Sequence, residues 1–255
     1  MTSFDPLQLL TAYDRGRLVP FTGSGMSVPA CTTWVQFVAR LESGADIPAP
    51  AMSGSTSARL VERALVALRV QRRMGISLPD AVRTALYRSP GGSLPENAVA
   101  LAKLHWPLIC TTNYDDIHLR ATAHCLLEKG TAPDDLPDIR VLGRSDADCK
   151  RLLQHLALPA EQTIWALQGF LHPTHADARA VLDPAQAFDA LEHELVVGHA
   201  EYRRVTHRAP HFRRAFAELF RSRSLLFLGS GLNEAYFRML FDEIVELGGT
   251  PGQPH

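Results

Sequence analysis

Three short stretches of the chain carry residue types able to hold a nucleotide. The first is Thr22-Gly23-Ser24-Gly25-Met26-Ser27, directly after the apolar run at 17–21. Glycines there let the backbone approach a phosphate, and the start of a following helix offers unpaired N–H groups to an anion. The pattern stops short of G-x-G-x-x-G, because Val28 stands where the third glycine belongs. The second stretch is Thr111-Thr112-Asn113-Tyr114-Asp115, after Leu108-Ile109-Cys110. Asn, Asp and Thr all cap helices, but one capping residue suffices and this run offers five non-aliphatic positions. The third is Leu228-Gly229-Ser230-Gly231-Leu232, which ends the apolar LLFL run. Two glycine loops and an Asn/Asp cluster, each at a strand end, suggest a nucleotide held between strand ends.

Other reactive residues point nowhere in common. The four cysteines, Cys31, Cys110, Cys125 and Cys149, form no C-x-x-C pair, so neither a tetracysteine zinc module nor a dithiol motif is available. His207 and His211 have i, i+4 spacing, but Pro210 sits between them and no third ligand is apparent, so no metal is expected. Trp34 reads either as a wall of the site or as a core tryptophan.

These residues need a scaffold, and the hydrophobic pattern supplies one. Short apolar strands are expected at 17–21, 108–110, 138–142, 163–167 and 225–228. Helices are expected at 7–13, 33–41, 60–70, 80–87, weakly at 101–104, at 116–127, 146–156, over most of 185–221, and at 234–247. Fully apolar strands alternating with helices predict an α/β fold with a parallel sheet covered on both faces. The Gly/Pro/Ser-rich run at 43–58 reads as a loop. The 255 residues are 46% hydrophobic and 21% charged with net charge −1, which gives no electrostatic reason to expect nucleic acid or an anionic membrane as a partner. Neither a basic, apolar leader nor a run of about 18 apolar residues is visible, so a cytoplasmic protein is expected. The tail at 248–255 reads as a linker to further domains.

The three stretches, taken together and in order, resemble the nucleotide-binding motifs of sirtuins, the silent information regulator family. Thr22 to Ser27 is similar to T-G-A-G-I-S, and Thr111 to Asp115 to T-Q-N-I-D in the T-T-N-Y-D form of bacterial sirtuin-like proteins. Leu228 to Leu232 is similar to the late G-T-S-L or G-Y-S-L loop. The resemblance implies a Rossmann-type, doubly wound parallel sheet over residues 1–247, with a smaller, mostly helical insert at about 40–100 and no zinc module. It implies NAD as substrate, hydrolysed to nicotinamide and ADP-ribose, as in sirtuin-like effector domains of bacterial antiphage proteins. A homo-oligomer or a covalently linked sensor domain is the implied partner.

The resemblance assigns catalysis to Asn113, Gln168 and Asp115. Asn113 would orient a water or hydroxyl at the ribose, and Asp115 would hold a ribose hydroxyl, the nicotinamide amide or the loop itself. Cofactor contacts fall to Thr22, Gly23, Ser24, Gly25, Ser27, Thr112, Gly169, Gly229, Ser230 and Gly231. Gly23 to Gly25 would face the pyrophosphate, with Ser27 and the 229–231 loop on the adenosine half. One position departs from the family, which places a histidine base before a glycine where this chain has Gln168-Gly169. Glutamine takes no proton at neutral pH. Three readings stay open: Gln168 positions the ribose while Asn113 orients water, the domain binds NAD or ADP-ribose without cleaving it, or His172 serves as base.

Overall fold

The computed structural model describes residues 6–48, 57–88, 92–197 and 209–229. Its centre is a five-stranded sheet of β1 (Leu18–Thr22), β2 (Leu108–Thr111), β3 (Arg140–Leu142), β4 (Thr163–Ala166) and β5 (Ser224–Leu228). The spatial order is β3-β4-β2-β1-β5, and every pair is parallel. The α/β, Rossmann-type reading therefore holds. β1, β2 and β4 are buried along their whole length, as strands covered on both faces must be. β1 lies inside the sheet although it contains Pro20, which cannot donate to a ladder. Its pairing with β2 is accordingly confined to Phe21–Cys110 and Thr22–Thr111.

Ten described helices of five residues or more surround the sheet, seven of them before β4 and three between β4 and β5. They are α1 (Pro6–Asp14), α2 (Trp34–Gly44), α3 (Ser57–Arg73), α4 (Leu78–Leu86), α5 (Glu96–Ala102), α6 (Ile117–Glu128), α7 (Asp146–Ala157), α8 (Ala176–Ala180), α9 (Asp189–His193) and α10 (Pro210–Ser222). Several start where capping residues dictate. Thr33 and Gln36 form a capping box for α2, and the hydroxyls of Ser77 and Ser145 cap α4 and α7.

One sheet face carries Val19, Phe21, Cys110, Trp165 and Leu225 against α7 and α10. Trp165 is fully buried there, with ring centroids 5.4 Å from Phe212 and 5.9 Å from Phe216, and its indole N–H donates to the Gly143 carbonyl at 2.9 Å. The opposite face meets α1 through Leu18 and Ile109, and meets α6 and α8 through Val141, Ile164 and Ala166. Helices α2, α3 and α4 share an apolar cluster of their own, which reaches the sheet domain through Tyr114, Ile117, Ala121 and Leu171.

Two expectations change. Residues 185–197 are not continuously helical, because only Asp189–His193 forms a helix before the chain extends over the end of β4, where the Val196 N–H donates to the Gln168 carbonyl at 3.0 Å. The helix α5 also starts earlier than expected, at Glu96 after Pro95. The helix expected at 234–247 lies outside the described residues. Truncating Trp165 to Ala should cost about 3–5 kcal/mol, since it leaves a large void between the sheet and α10. Urea unfolding of the variant beside the parent chain measures that loss.

Candidate functional site

Register brings the three motifs together. Thr22 pairs with Thr111 on one side and Leu228 on the other, and Thr111 pairs with Ala166. Four adjacent strands thus end level, and their loops share one rim at the carboxyl edge of the sheet. In an open parallel sheet this edge is where ligands bind.

The two glycine loops touch backbone to backbone. The Gly23 N–H donates to the Leu228 carbonyl at 3.0 Å and the Gly25 N–H to the Gly229 carbonyl at 2.9 Å. A Cβ on Gly25 would lie 2.9 Å from the Gly229 Cα, and one on Gly229 would lie 2.6 Å from the Met26 nitrogen. Gly229 also has φ +62°, which disfavours any side chain. Met26 and Ser27 donate their amides to the carbonyls of Gly23 and Ser24. Four of the five amides from Gly23 to Ser27 are therefore committed inside the protein, leaving Ser24 as the loop amide with no such commitment. Ser230 and Gly231 lie outside the described residues.

The polar run after β2 divides its labour. The Thr111 hydroxyl accepts from the Asn113 N–H at 3.0 Å, and the Thr112 N–H donates to the Thr22 carbonyl at 3.0 Å. The Tyr114 hydroxyl donates to the Val196 carbonyl at 2.5 Å. These three residues hold the loop. Asn113 and Asp115 remain, and with Thr111 they line a cavity of about 30 Å³ that runs beneath the loop.

The Asn113 amide is oriented without ambiguity. Its Nδ2 lies 3.0 Å from the Gly23 carbonyl oxygen, which can only accept, and 2.9 Å from the Ser27 hydroxyl. Both amide hydrogens are used, so Oδ1 is the atom left to receive a hydrogen bond from a ligand. The Ser27 hydroxyl in turn bonds the Asp115 carboxylate, which also accepts from the Ile117 N–H at 3.1 Å and from the Cys31 thiol. Asn113, Ser27 and Asp115 form one chain of hydrogen bonds. Burial raises the Asp115 pKa from 3.8 to about 6, partly offset by the bonds from Ser27 and Ile117. Asp116, also raised by burial, accepts at 3.1 Å from the Tyr87 hydroxyl at the end of α4.

Gln168 is buried at the end of β4 and does not line the cavity. Gly169 has φ +86°, and a Cβ there would lie 2.6 Å from the Leu195 nitrogen, so this turn cannot carry a side chain at its second residue. Arg144 braces the turn by donating to the Leu167 carbonyl at 2.7 Å and the Glu194 carbonyl at 2.6 Å. His172 is exposed, its ring edge packed 5.0 Å from Phe188, and it does not line the cavity. Trp34 stacks on Phe37. His211 Nε2 lies 3.1 Å from the Arg144 carbonyl, and His207 lies outside the described residues. Among the described residues no group of three or more His, Cys, Asp or Glu is placed to hold a metal. His118 was not singled out by sequence. It lines the same cavity, and only its place in the first turn of α6, after the polar run, hinted at this.

The Asp115 shift has a sign for stability. A carboxyl whose pKa rises on folding favours the folded state below its unfolded value near 4, and that contribution is lost as pH climbs through about 6. Relative to Asp115→Asn, the parent chain should lose roughly 2 kcal/mol of stability between pH 4 and pH 6. Chemical unfolding of both chains across that range measures it.

Comparison with known proteins agrees with this geometry. No curated protein matches the chain. The family model described as "SIR2-like domain" matches residues 107–255, more than half of the chain. The matched span opens at β2 and includes the Thr111–Asp115 run, Gln168-Gly169 and Gly229, while the first glycine loop precedes it. With NAD-related function as the common ground of that family, the chain belongs to the SIR2-like domain family.

Proposed function

We propose that the rim formed by the ends of β4, β2, β1 and β5 binds NAD and hydrolyses it to nicotinamide and ADP-ribose. The observation that carries this reading is the orientation of Asn113. Cleaving the bond between nicotinamide and ribose passes through an oxocarbenium-like transition state, as glycoside cleavage does. The C1′–N bond breaks with its electron pair leaving on nicotinamide. A water oxygen then bonds C1′ and one proton is released. That water must arrive aligned, and a fixed acceptor such as Asn113 Oδ1 aligns it. Ser27 and Asp115 hold the amide, so Asp115 acts as an orienting group.

The glycine loops suit the diphosphate. With Gly23 and Gly25 lacking side chains and Ser24 keeping its amide, a phosphate can approach the rim between β1 and β5. Gln168 and Thr112 stand on the neighbouring strand ends, beside the ribose in this reading. The cavity of about 30 Å³ has room for ordered water, and in this reading the nicotinamide ring binds at its mouth. Helices between about 40 and 100 form the insert that walls this side, and Tyr87 joins it to the loop.

The T-T-N-Y-D form of the loop supports an effector role in bacterial antiphage defence, with oligomerisation or a linked sensor domain as the trigger. A silent NAD- or ADP-ribose-binding module is the rival reading, favoured by Gln168 and by the committed loop amides. Following nicotinamide release from NAD separates the two. The parent chain should release nicotinamide, and Asn113→Ala should lower the rate about 10²- to 10³-fold with ADP-ribose affinity changed only a few-fold. Binding without any release, in the oligomer as well as the monomer, would establish the silent module instead.

A further inference from the structure

His118 carries a buried nitrogen that the reading above leaves unused. The Thr122 hydroxyl donates to the His118 carbonyl at 2.9 Å, so towards the His118 ring, 3.5 Å from Nε2, it can only accept. Placing the proton of the neutral ring on Nε2 satisfies that contact and leaves Nδ1 as an acceptor. Nδ1 is buried and has no hydrogen-bond partner among the described residues. The residue lines the cavity shared with Asn113, Ser27 and Asp115, and the cavity volume of about 30 Å³ is enough to hold ordered water. A bare buried acceptor beside a water-sized, polar-ended cavity is the setting in which ordered water is held.

Resting on the hydrolase reading, we propose that His118, through one water held in this cavity, accepts the proton released when water adds to the ribose. The attacking water bonds C1′ as the C1′–N pair leaves on nicotinamide. It passes one proton to the held water, which gives one of its own to Nδ1, and the imidazolium later returns it to solvent. No oxidant or further reactant is needed. Asp115 is less suited to this step, because its carboxylate already accepts from Ser27, Ile117 and Cys31. Gln168 is unable to take a proton and lies outside the cavity.

The surroundings keep His118 neutral and ready. Ala98 and Leu101 of α5, Ile109 of β2 and Ile164 of β4 face the cavity, and Asp115 is the one other titratable side chain lining it. Burial lowers the histidine to about 4. Such a group is unprotonated at neutral pH and discharges its proton readily once charged.

The test is steady-state nicotinamide release by the full chain, His118→Asn and His118→Gln, with thermal midpoints and ADP-ribose affinity measured in parallel. Both variants can still hydrogen-bond water but take up no proton. The expected result is a kcat lower by about 10²- to 10⁴-fold with KM within about twofold. If one variant fails to fold, the other is read. Variants that keep the parent kcat, or that lose kcat and affinity together, overturn the proton-acceptor role alone. A parent chain that binds NAD but releases no nicotinamide overturns the hydrolase reading and this proposal with it.

Discussion

The level ending of four adjacent parallel strands is the constraint on which the rest of the site depends. Thr22, Thr111, Leu228 and Ala166 occupy one row of the sheet. From that row the backbone leaves in four loops, so residues distant in sequence meet at one rim. Gly25 and Gly229 then let two of those loops close to direct backbone contact, where a side chain at either position would meet backbone atoms within 3.0 Å. Without that contact the Gly23 carbonyl would have no fixed place, and Asn113 takes its orientation from that carbonyl.

The site trades stability for orientation. A carboxyl buried at Asp115 lifts its own pKa and favours protonation, yet its ionised form is what receives the hydroxyl of Ser27 most strongly. Asp116 and Tyr87 lie directly behind it, so the helical cluster of α2, α3 and α4 is tied to the loop by a polar contact as well as an apolar one. A loop held from both sides can present Asn113 Oδ1 without reorganising when a ligand arrives, and preorganisation of that kind is where polar groups gain most in catalysis.

Gly169 separates two roles that sequence joins. Beside Gln168 it reads as half of a functional pair, but its positive φ and its contact with the backbone of residues 191–195 give it a packing role. The chain from α9 to Val197 lies on top of this turn, which is why a segment with helical periodicity abandons the helix after His193. Pairing the Val196 N–H with the Gln168 carbonyl and burying Leu195 outweighed local propensity.

Much of the fold was legible from periodicity. The five apolar runs became the five strands, and Thr33, Ser77 and Ser145 mark helix starts through capping chemistry that acts over three residues. Glycine spacing and the Thr111–Asp115 run also marked the strand ends that the sheet brings to one rim, because backbone freedom and side-chain polarity are local properties. Strand order and register were not legible, since they follow from contacts between residues as far apart as Thr22 and Leu228. Nor did sequence alone tell which of five consecutive polar residues would face inward. Thr112 and Tyr114 turned to hold the loop, Thr111 braced it while lining the cavity, Asn113 and Asp115 turned to the cavity, and His118 joined them from the next helix. Side-chain type is written in the chain, but the direction in which a polar group points is decided by the partners that tertiary packing brings within hydrogen-bonding reach.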